Sequence, residues 1–298
     1  MPLNLKTVLY IPKNHSERYG MEQEKGEVSL YSRRVLIKKD CKEVLLPRFL
    51  RFVKGVVDCE DIPLNISRET FQDSALMAKL RNFLTKRIIK LIRDEAEKNP
   101  EEYVKWFKTF AIFIKEGSLD PEFRKDIVDL NRYELNTEEG YFSLKDYVAK
   151  KRNTQDVIFY ATAASRAIAT DNPYIYPLTK NNIPVLLTNT PVEEFIFHEM
   201  ETYEGLKFAN VENATADVER VLKGVKEQEK ESGKEEKKNE GQTIPTDDIT
   251  AFSLWIKNEL QPYVSKVVVS SKDLLGPALV ISPITSGMRQ MAFMRNLM

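Results

Sequence analysis

Hydrophobic and polar positions alternate through the first sixty residues, which is the two-residue period of β-strands. The alternation predicts strands over residues 7–11, 28–37 and 51–57, with polar loops between them. From about residue 68 the period becomes helical and predicts a long helix that ends near residue 98. Its expected apolar stripe comprises Leu76, Leu80, Phe83, Leu84, Ile88 and Leu91.

Two further helices should follow directly. Pro100 suits the first position of a helix and Gly117 suits its end, so a second helix is predicted between them. Asp120 before Pro121 is typical of a helix N-cap and predicts a third helix to about residue 133. The apolar residues expected to face the core from the second helix are Tyr103, Trp106, Phe107, Phe110 and Ile114.

From residue 156 short apolar runs alternate with helical stretches. Strands are predicted over 156–162, 183–188 and 206–211, with helices at 165–170, near 176 and at 192–200. This rhythm is typical of a small parallel α/β layer. The charged run 219–242 predicts a linker or a solvated helix. An amphipathic helix over 247–260, strands at 264–270 and 278–281, and a last helix over 285–298 should follow.

Composition narrows the function classes. Lysine and arginine total 45, as do aspartate and glutamate, so the formal net charge is zero, which argues against a nucleic-acid-binding protein. No apolar run is long enough to predict a membrane span. The two cysteines suggest a reducing compartment, and His15 and His198 form no zinc pattern, so we expect no metal site. The absence of a glycine-rich phosphate loop argues against a stand-alone phosphotransferase.

The segment GVVDCEDIPLNISRETFQ, residues 55–72, carries the most informative chemistry. Ser67 is a good N-cap for the helix that follows, but Arg68 is a cation at the positive end of that helix. A phosphate group suits a guanidinium beside free backbone N–H groups, and Gln72 shares the same helix face. The alternative is an ion pair between Arg68 and one of the three preceding acids, Asp58, Glu60 and Asp61.

Half of the eight methionines lie at the end of the chain, on one face of the predicted last helix: Met288, Met291, Met294 and Met298. Phe293 adds to this apolar surface. Methionine is flexible and polarizable, so such a surface suits partners of varied shape. The alternative, which is compatible with the first, is a helix that packs on sequence beyond Met298. The opening residues enter a strand pattern directly, so we expect both ends to be cut and no targeting peptide within the sequence.

Four long motifs stand out along the chain: LYSRRVLI at 30–37, LPRFLRFVKGVVDCEDIPLNISRETFQ at 46–72, FKTFAIFIKEG at 107–117 and SLKDYVAKKRNTQDVIFYAT at 143–162. Together they resemble the heat shock protein 90 chaperones. The match extends to VVVSSKDLLGPALVIS near the C-terminus and so covers essentially the whole chain. LYSRR and FQDSALMAKLR resemble the mitochondrial, tumour necrosis factor receptor-associated branch, while LRNFLTKR and FIKEG are also similar to the bacterial high-temperature protein G.

The resemblance implies the middle segment and the start of the C-terminal domain of such a chaperone. The expected fold class is α/β (α+β). We expect a three-layer α/β sandwich with long helices over residues 1–135, and a helical connector that leads to a smaller α/β layer over 136–215. A charged linker or solvated helix over 216–245 and the beginning of an α+β C-terminal domain over 246–298 should complete the chain.

The resemblance also assigns the loop residues. Family members are dimeric ATP-driven chaperones, which implies that ATP and Mg²⁺ bind in an N-terminal ATPase domain that this chain lacks. Arg68 matches the arginine that the middle segment lends to the γ-phosphate, and Gln72 matches the glutamine beside it. Asn65 and Ser67 match the loop that supports them. We therefore predict Arg68 and Gln72 as catalytic residues, in a chain that alone should not hydrolyse ATP.

The expected partners follow from the same resemblance. Met288, Met291, Phe293 and Met294 match an amphipathic element that binds unfolded or partly folded clients, and helices that build the homodimer should follow Met298. The N-terminal ATPase domain of the same chain is the other expected partner. The alternative function is an ATP-independent client- or cochaperone-binding module in which the arginine loop is only structural. The mitochondrial matrix is the favoured location, with the cytoplasm as the alternative.

Overall fold

The computed structural model describes residues 4–15, 17, 28–62, 75–163, 166–170, 172–231, 246–261, 263–268 and 288. These residues form helices and two mixed β-sheets, so the expected α/β class is confirmed. The division into four domains stays a prediction. The elements of the first half are β1 (Leu5–Tyr10), β2 (Val28–Ser32), β3 (Val35–Lys38), α1 (Lys42–Leu45), a 3₁₀ turn (Arg48–Leu50), β4 (Lys54–Cys59), α2 (Ala75–Lys98) and α3 (Pro100–Leu119).

The first sheet has the strand order β1-β4-β2-β3. β4 is central, antiparallel to β1 and parallel to β2. The strand predicted over 28–37 is instead a hairpin of β2 and β3, joined by Arg33 and Arg34. Both turn residues have positive φ, 50° and 66°, as a two-residue type I′ turn requires. The sequence pattern missed the break because these positions usually carry glycine or asparagine.

One face of this sheet packs on α2 and α3 to form the first core. Val57 and Cys59 point inward from β4, while Val56, just before them, is exposed. α2 buries Leu80, Leu84 and Ile88 as predicted. The predicted stripe is wrong at Phe83 and Leu91, which are 52% and 55% exposed. Successive helix positions are 100° apart, so Phe83 turns away from the side that Leu84 buries, and Ile89 and Ile92 complete the apolar face.

Gly117 does not end α3, which continues to Leu119. It is buried, and neighbouring side chains leave no room for a Cβ, which would lie 2.8 Å from atoms of Phe49 and Ile127. Glycine therefore permits close packing at this position rather than terminating the helix. The long third helix is also wrong: a turn is followed by α4 (Arg124–Ile127) and a 3₁₀ turn (Val128–Leu130). Asp120 Oδ1 accepts the backbone N–H of Glu122 at 2.9 Å, as its capping chemistry predicts.

The second sheet has a parallel centre, as the sequence predicts, and two short antiparallel edge strands that it did not predict. Helices lie on both faces, so this part of the chain has three layers. Its strand order is β5-β7-β6-β9-β8. The elements are β5 (Glu134–Leu135), α5 (Leu144–Lys150), β6 (Val157–Thr162), α6 (Arg166–Thr170), α7 (Tyr176–Lys180), β7 (Leu186–Thr188), α8 (Val192–Met200), β8 (Thr202–Tyr203) and β9 (Leu206–Asn210).

The charged run begins as a packed helix rather than a linker. α9 spans Thr215–Glu231, and its Val221 and Val225 are buried against the second sheet. Val218 and Leu222 pack beside them, so one apolar face docks this otherwise polar helix. α10 (Thr246–Glu259) matches the predicted amphipathic helix. Residues 264–268 carry no strand, contrary to expectation, and the predicted strand at 278–281 lies outside the described residues.

Candidate functional site

Strand β4 directly precedes, in sequence, the segment predicted to carry the catalytic arginine. It lies between β1 and β2, and the parallel strands β2 and β4 end at the same edge of the sheet. Ligands of open α/β sheets commonly bind beside the carboxyl ends of parallel strands. Ile62, the last described residue before segment 63–74 with its Arg68, follows the end of β4 by three residues.

The residues that flank segment 63–74 belong to the first core. Ile62 is buried, and its carbonyl oxygen accepts a 2.6 Å hydrogen bond from Ser32 Oγ, which is also buried. On the far side α2 begins at Ala75, and Met77 is buried two residues later. The described residues on either side of the segment are therefore held in place, and they are here called the loop root. The loop root comprises Ser32, Asp58, Cys59, Ile62 and Met77.

The four predicted loop residues, Asn65, Ser67, Arg68 and Gln72, lie outside the described residues. Their proximity to one another, and the shared helix face of Arg68 and Gln72, stay predictions.

The three acids proposed as alternative partners of Arg68 have contacts of their own. Asp58 Oδ2 accepts the backbone N–H of Arg34 at 3.2 Å. Glu60 pairs with Lys6 at 3.4 Å, and the backbone N–H of Asn4 donates to Asp61 Oδ2 at 3.0 Å. These contacts tie the acidic residues to the start of the chain and to the β2–β3 turn, which weakens the simple ion-pair interpretation.

Two positive side chains lie beside the loop root that the sequence pattern did not single out. Arg33 and Arg34 form the exposed turn between β2 and β3. Within the described part of the chain neither guanidinium has an ion-pair or hydrogen-bond partner. Asp58 Oδ1 is buried there and also lacks a hydrogen-bond partner. The available signal was the Arg-Arg dipeptide between two alternating runs, where a two-residue hairpin turn fits.

The two thiols of the first core are not nucleophiles. Cys41 and Cys59 are both free and buried. Burial raises the pKa of the Cys41 thiol to about 11 and also raises that of Cys59. A neutral thiol is a poor nucleophile, so Cys59 contributes packing to the loop root rather than chemistry. Among the described residues no group of three histidine, cysteine or acidic side chains is arranged to hold a metal ion.

The predicted client-binding residues are largely outside the described chain. Met288 is helical and half exposed, while Met291, Phe293 and Met294 fall outside the described residues. The helix α10 presents large apolar side chains to solvent instead. Phe252 and Trp255 stack with ring centroids 5.9 Å apart, and both are more than half exposed, as is Leu254. No helix within the described ranges is both long enough and apolar enough to cross a membrane.

Comparisons with known proteins agree along the length of the chain. A family model described as "Hsp90 protein" matches residues 2–298. "Chaperone protein HtpG" of Desulfotalea psychrophila is 33% identical over 284 residues, which cover 94% of this chain and 44% of that protein. "TNF receptor-associated protein 1 homolog, mitochondrial" of Dictyostelium discoideum is 32% identical over 296 residues, with coverages of 97% and 40%.

A mammalian relative gives a similar result. "Heat shock protein 75 kDa, mitochondrial" of Rattus norvegicus is 32% identical over 285 residues, covering 94% of this chain and 39% of that protein. The chain thus spans less than half the length of these relatives. Bacterial and mitochondrial relatives match at nearly equal identity, so the assignment to the mitochondrial branch stays a prediction.

Proposed function

The chain belongs to the Hsp90 protein family, and on that premise we propose that it is the middle part of an ATP-driven molecular chaperone. Its role in the reaction is to supply Arg68 to the γ-phosphate of ATP bound, with Mg²⁺, in an N-terminal ATPase domain. Gln72 lies beside that arginine, with Asn65 and Ser67 as its supports. An arginine from another domain would stabilise the charge that develops as the phosphoryl group leaves. This part alone should not hydrolyse ATP.

The observation that carries the proposal is the fixed loop root. Ser32 Oγ donates to the carbonyl oxygen of Ile62, and Met77 is buried, so the residues on both sides of segment 63–74 belong to the packed core. Catalytic groups act most effectively when a rigid scaffold positions them, because little reorganisation is then needed in the transition state. The carboxyl edge of a parallel strand pair is a suitable place for such a loop.

The test uses Arg68→Ala in the full-length protein. We expect kcat for ATP hydrolysis to fall on the order of a hundredfold or more, with ATP binding retained, because the arginine contacts the phosphate mainly in the transition state. Arg87→Ala on the exposed side of α2 is the matched control and should leave kcat unchanged. Wild-type kcat in Arg68→Ala would refute the catalytic role.

The second candidate function is an ATP-independent module that binds clients or cochaperones. The exposed apolar side chains of α10 favour it. Phe252→Ala with Trp255→Ala, and separately Met291→Ala with Met294→Ala, should then weaken capture of an unfolded model protein. Phe83→Ala with Leu91→Ala removes equally exposed apolar groups from α2 and is the control. Unchanged capture in all variants would count against this function.

The remaining partners and the location are proposed on the family premise. We expect a homodimer in the full-length protein, built by helices beyond Met298. The mitochondrial matrix is the proposed location because two of the relatives described above carry "mitochondrial" in their names. Fractionation of cells that express the full-length protein tests the location, with the cytoplasm as the opposing result.

A further inference from the structure

The residues that follow β1 contact α3 and form a strap, defined here as residues 11–15 and 17. Its polar side chains divide into two groups. Lys13 and Asn14 are exposed, whereas His15 is half-buried and Glu17 is only 7% exposed. Acidic side chains are rarely buried without a specific partner. The two inward side chains, two positions apart in sequence, therefore mark the contact of the strap with the first core.

The ring of His15 fills an aromatic cleft on α3. It lies 5.1 Å from the ring of Phe110 and 4.9 Å from that of Phe113, edge to face, and both phenylalanines are fully buried. Nε2 donates to the carbonyl oxygen of Thr109 at 2.5 Å, but Nδ1 is buried with no partner among the described residues. An unpaired buried polar atom is costly. A purely apolar ring would fill this cleft without that cost.

Glu17 occupies a carboxylate site beside the aromatic cleft. Arg51 donates to both of its carboxylate oxygens, at 2.8 Å from Nε and at 2.7 Å from Nη2. Paired donors of this kind are how a guanidinium binds a carboxylate most specifically. The guanidinium also lies 4.5 Å from the centre of the Phe113 ring and contacts Glu116, so groups other than Glu17 hold it in place. The aromatic cleft and the carboxylate site thus share one wall.

We propose that the aromatic cleft and the carboxylate site bind peptide segments in which a carboxylate follows an aromatic residue by two positions, and that the strap is an internal competitor for them. Side chains two positions apart in an extended peptide point the same way, which suits this pair of sites. The ligand's ring replaces His15 and its carboxylate replaces Glu17 on Arg51. Because His15 carries an unpaired nitrogen, a phenylalanine side chain can displace it. The inference goes beyond the proposed function and does not depend on Arg68.

The test measures binding of a dye-labelled peptide, Gly-Ser-Phe-Ser-Glu-Gly, to the full-length protein by fluorescence anisotropy. His15→Ala with Glu17→Ala gives a strap-free variant, in which Kd should fall about tenfold or more, because a site that is occupied in most molecules has a reduced apparent affinity. Lys13→Ala with Asn14→Ala changes the exposed side of the same strap and should leave Kd unchanged. Equal Kd in wild type and the strap-free variant would overturn the inference.

Peptide variants test the two contacts separately in the strap-free variant. Gly-Ser-Phe-Ser-Gln-Gly lacks the carboxylate and Gly-Ser-Ala-Ser-Glu-Gly lacks the ring, and each should bind about tenfold more weakly or worse. Gly-Ser-His-Ser-Glu-Gly should have an intermediate affinity, because it brings the same unpaired nitrogen as the strap. If either the glutamine or the alanine peptide bound as tightly as the parent peptide, the inference would be wrong.

The arginine is tested in the same background. Adding Arg51→Met to the strap-free variant should return Kd to the wild-type value or above, and Glu17, which would otherwise be buried without its cation, is already absent there. Arg51→Lys keeps the charge but loses the paired donors, so it should weaken binding by a smaller factor. A Tm close to that of the strap-free variant shows that each protein is folded. Tight binding in both folded variants would refute the carboxylate site, and the kcat of Arg68→Ala would be unaffected by that result.

Discussion

The two sheets end their parallel strands in different ways. At the carboxyl edge of the second sheet, Thr162, Thr188 and Asn210 end β6, β7 and β9, and Glu194 of α8 joins them. Thr162 Oγ1 contacts Thr188 Oγ1 at 3.0 Å and donates to Glu194 Oε1 at 3.2 Å, which Asn210 Nδ2 also reaches at 3.2 Å. These polar groups are buried and satisfy one another.

The carboxyl edge of the first sheet leaves charged groups without partners in the described residues. Arg33 and Arg34 are exposed, and Asp58 Oδ1 lacks a donor. Holding two arginines at positive φ costs about 1–2 kcal/mol per residue. The carboxyl edge of the second sheet, whose polar groups satisfy one another, is here called the closed edge. The carboxyl edge of the first sheet, which leaves Asp58 Oδ1 without a donor among the described residues, is called the open edge.

The largest expected effect is at the closed edge. Lys115 Nζ lies 2.5 Å from Oε1 of Glu193, which is 2% exposed. Lys115→Met would leave this carboxylate buried and uncompensated, so the free energy of unfolding should fall by about 3–5 kcal/mol in a denaturant titration. Adding Glu193→Gln should recover part of the loss, because the uncompensated charge is then gone.

A surface pair provides the control for Lys115→Met. Lys105 and Glu102 also lie within ion-pair distance, but both side chains are 70% exposed. Lys105→Met should therefore cost less than about 0.5 kcal/mol. Equal losses in the two lysine variants would show that the Lys115 pair does not stabilise the closed edge.

The thiols test whether the core of the first sheet excludes solvent. Burial raises the pKa of Cys41 to about 11 from 9.0. At pH 8 its thiolate fraction, and hence its alkylation rate in a Cys59→Ser variant, should be about a hundredfold below that of the unfolded chain. Because the folded pKa is the higher one, the free energy of unfolding should decrease as pH rises from about 9 to about 11. Rapid alkylation of the folded protein would contradict this.

Two substitutions, one at each edge, compare how far polar side chains at the two edges stabilise the fold. Asn210→Ala removes a donor to Glu194 and the acceptor of the backbone N–H of Glu212, so unfolding free energy should fall by about 1–3 kcal/mol. Asp58→Asn at the open edge retains an acceptor for the N–H of Arg34 and should change stability by less than about 0.5 kcal/mol. Similar losses from both would remove the distinction between the edges.

The sequence predicted the long helices and the central strands of the second sheet. The helices α2 and α3 follow from helical apolar spacing, with Pro100 marking the start of α3, and β6, β7 and β9 follow from short apolar runs. β5 and β8 have two residues each, too few to show a period, and the β2–β3 turn lacks the usual glycine. Strands this short are recognised from the strands they pair with in the structure, because their own residues are too few to show a pattern.

The buried ion pairs could not be predicted from the sequence, for a different reason. Lys115 with Glu193, and Arg51 with Glu17, join residues that lie far apart in the chain. Charged residues are usually exposed, so neither composition nor spacing predicts which ones are buried as pairs. The loop assignment of Arg68 came from resemblance, while the anchored root on either side of it came from the structure.

The smallest effect concerns the acids at the open edge. Lys6 Nζ lies 3.4 Å from Oε1 of Glu60, with the two side chains 69% and 40% exposed. Lys6→Ala should lower the unfolding free energy by less than about 0.5 kcal/mol, and high salt should abolish even that difference, because exposed pairs are weak and screened. A loss above about 1 kcal/mol would mean that this edge is stabilised by its own ion pairs. That result would favour the structural interpretation of Arg68 and make the first edge resemble the second.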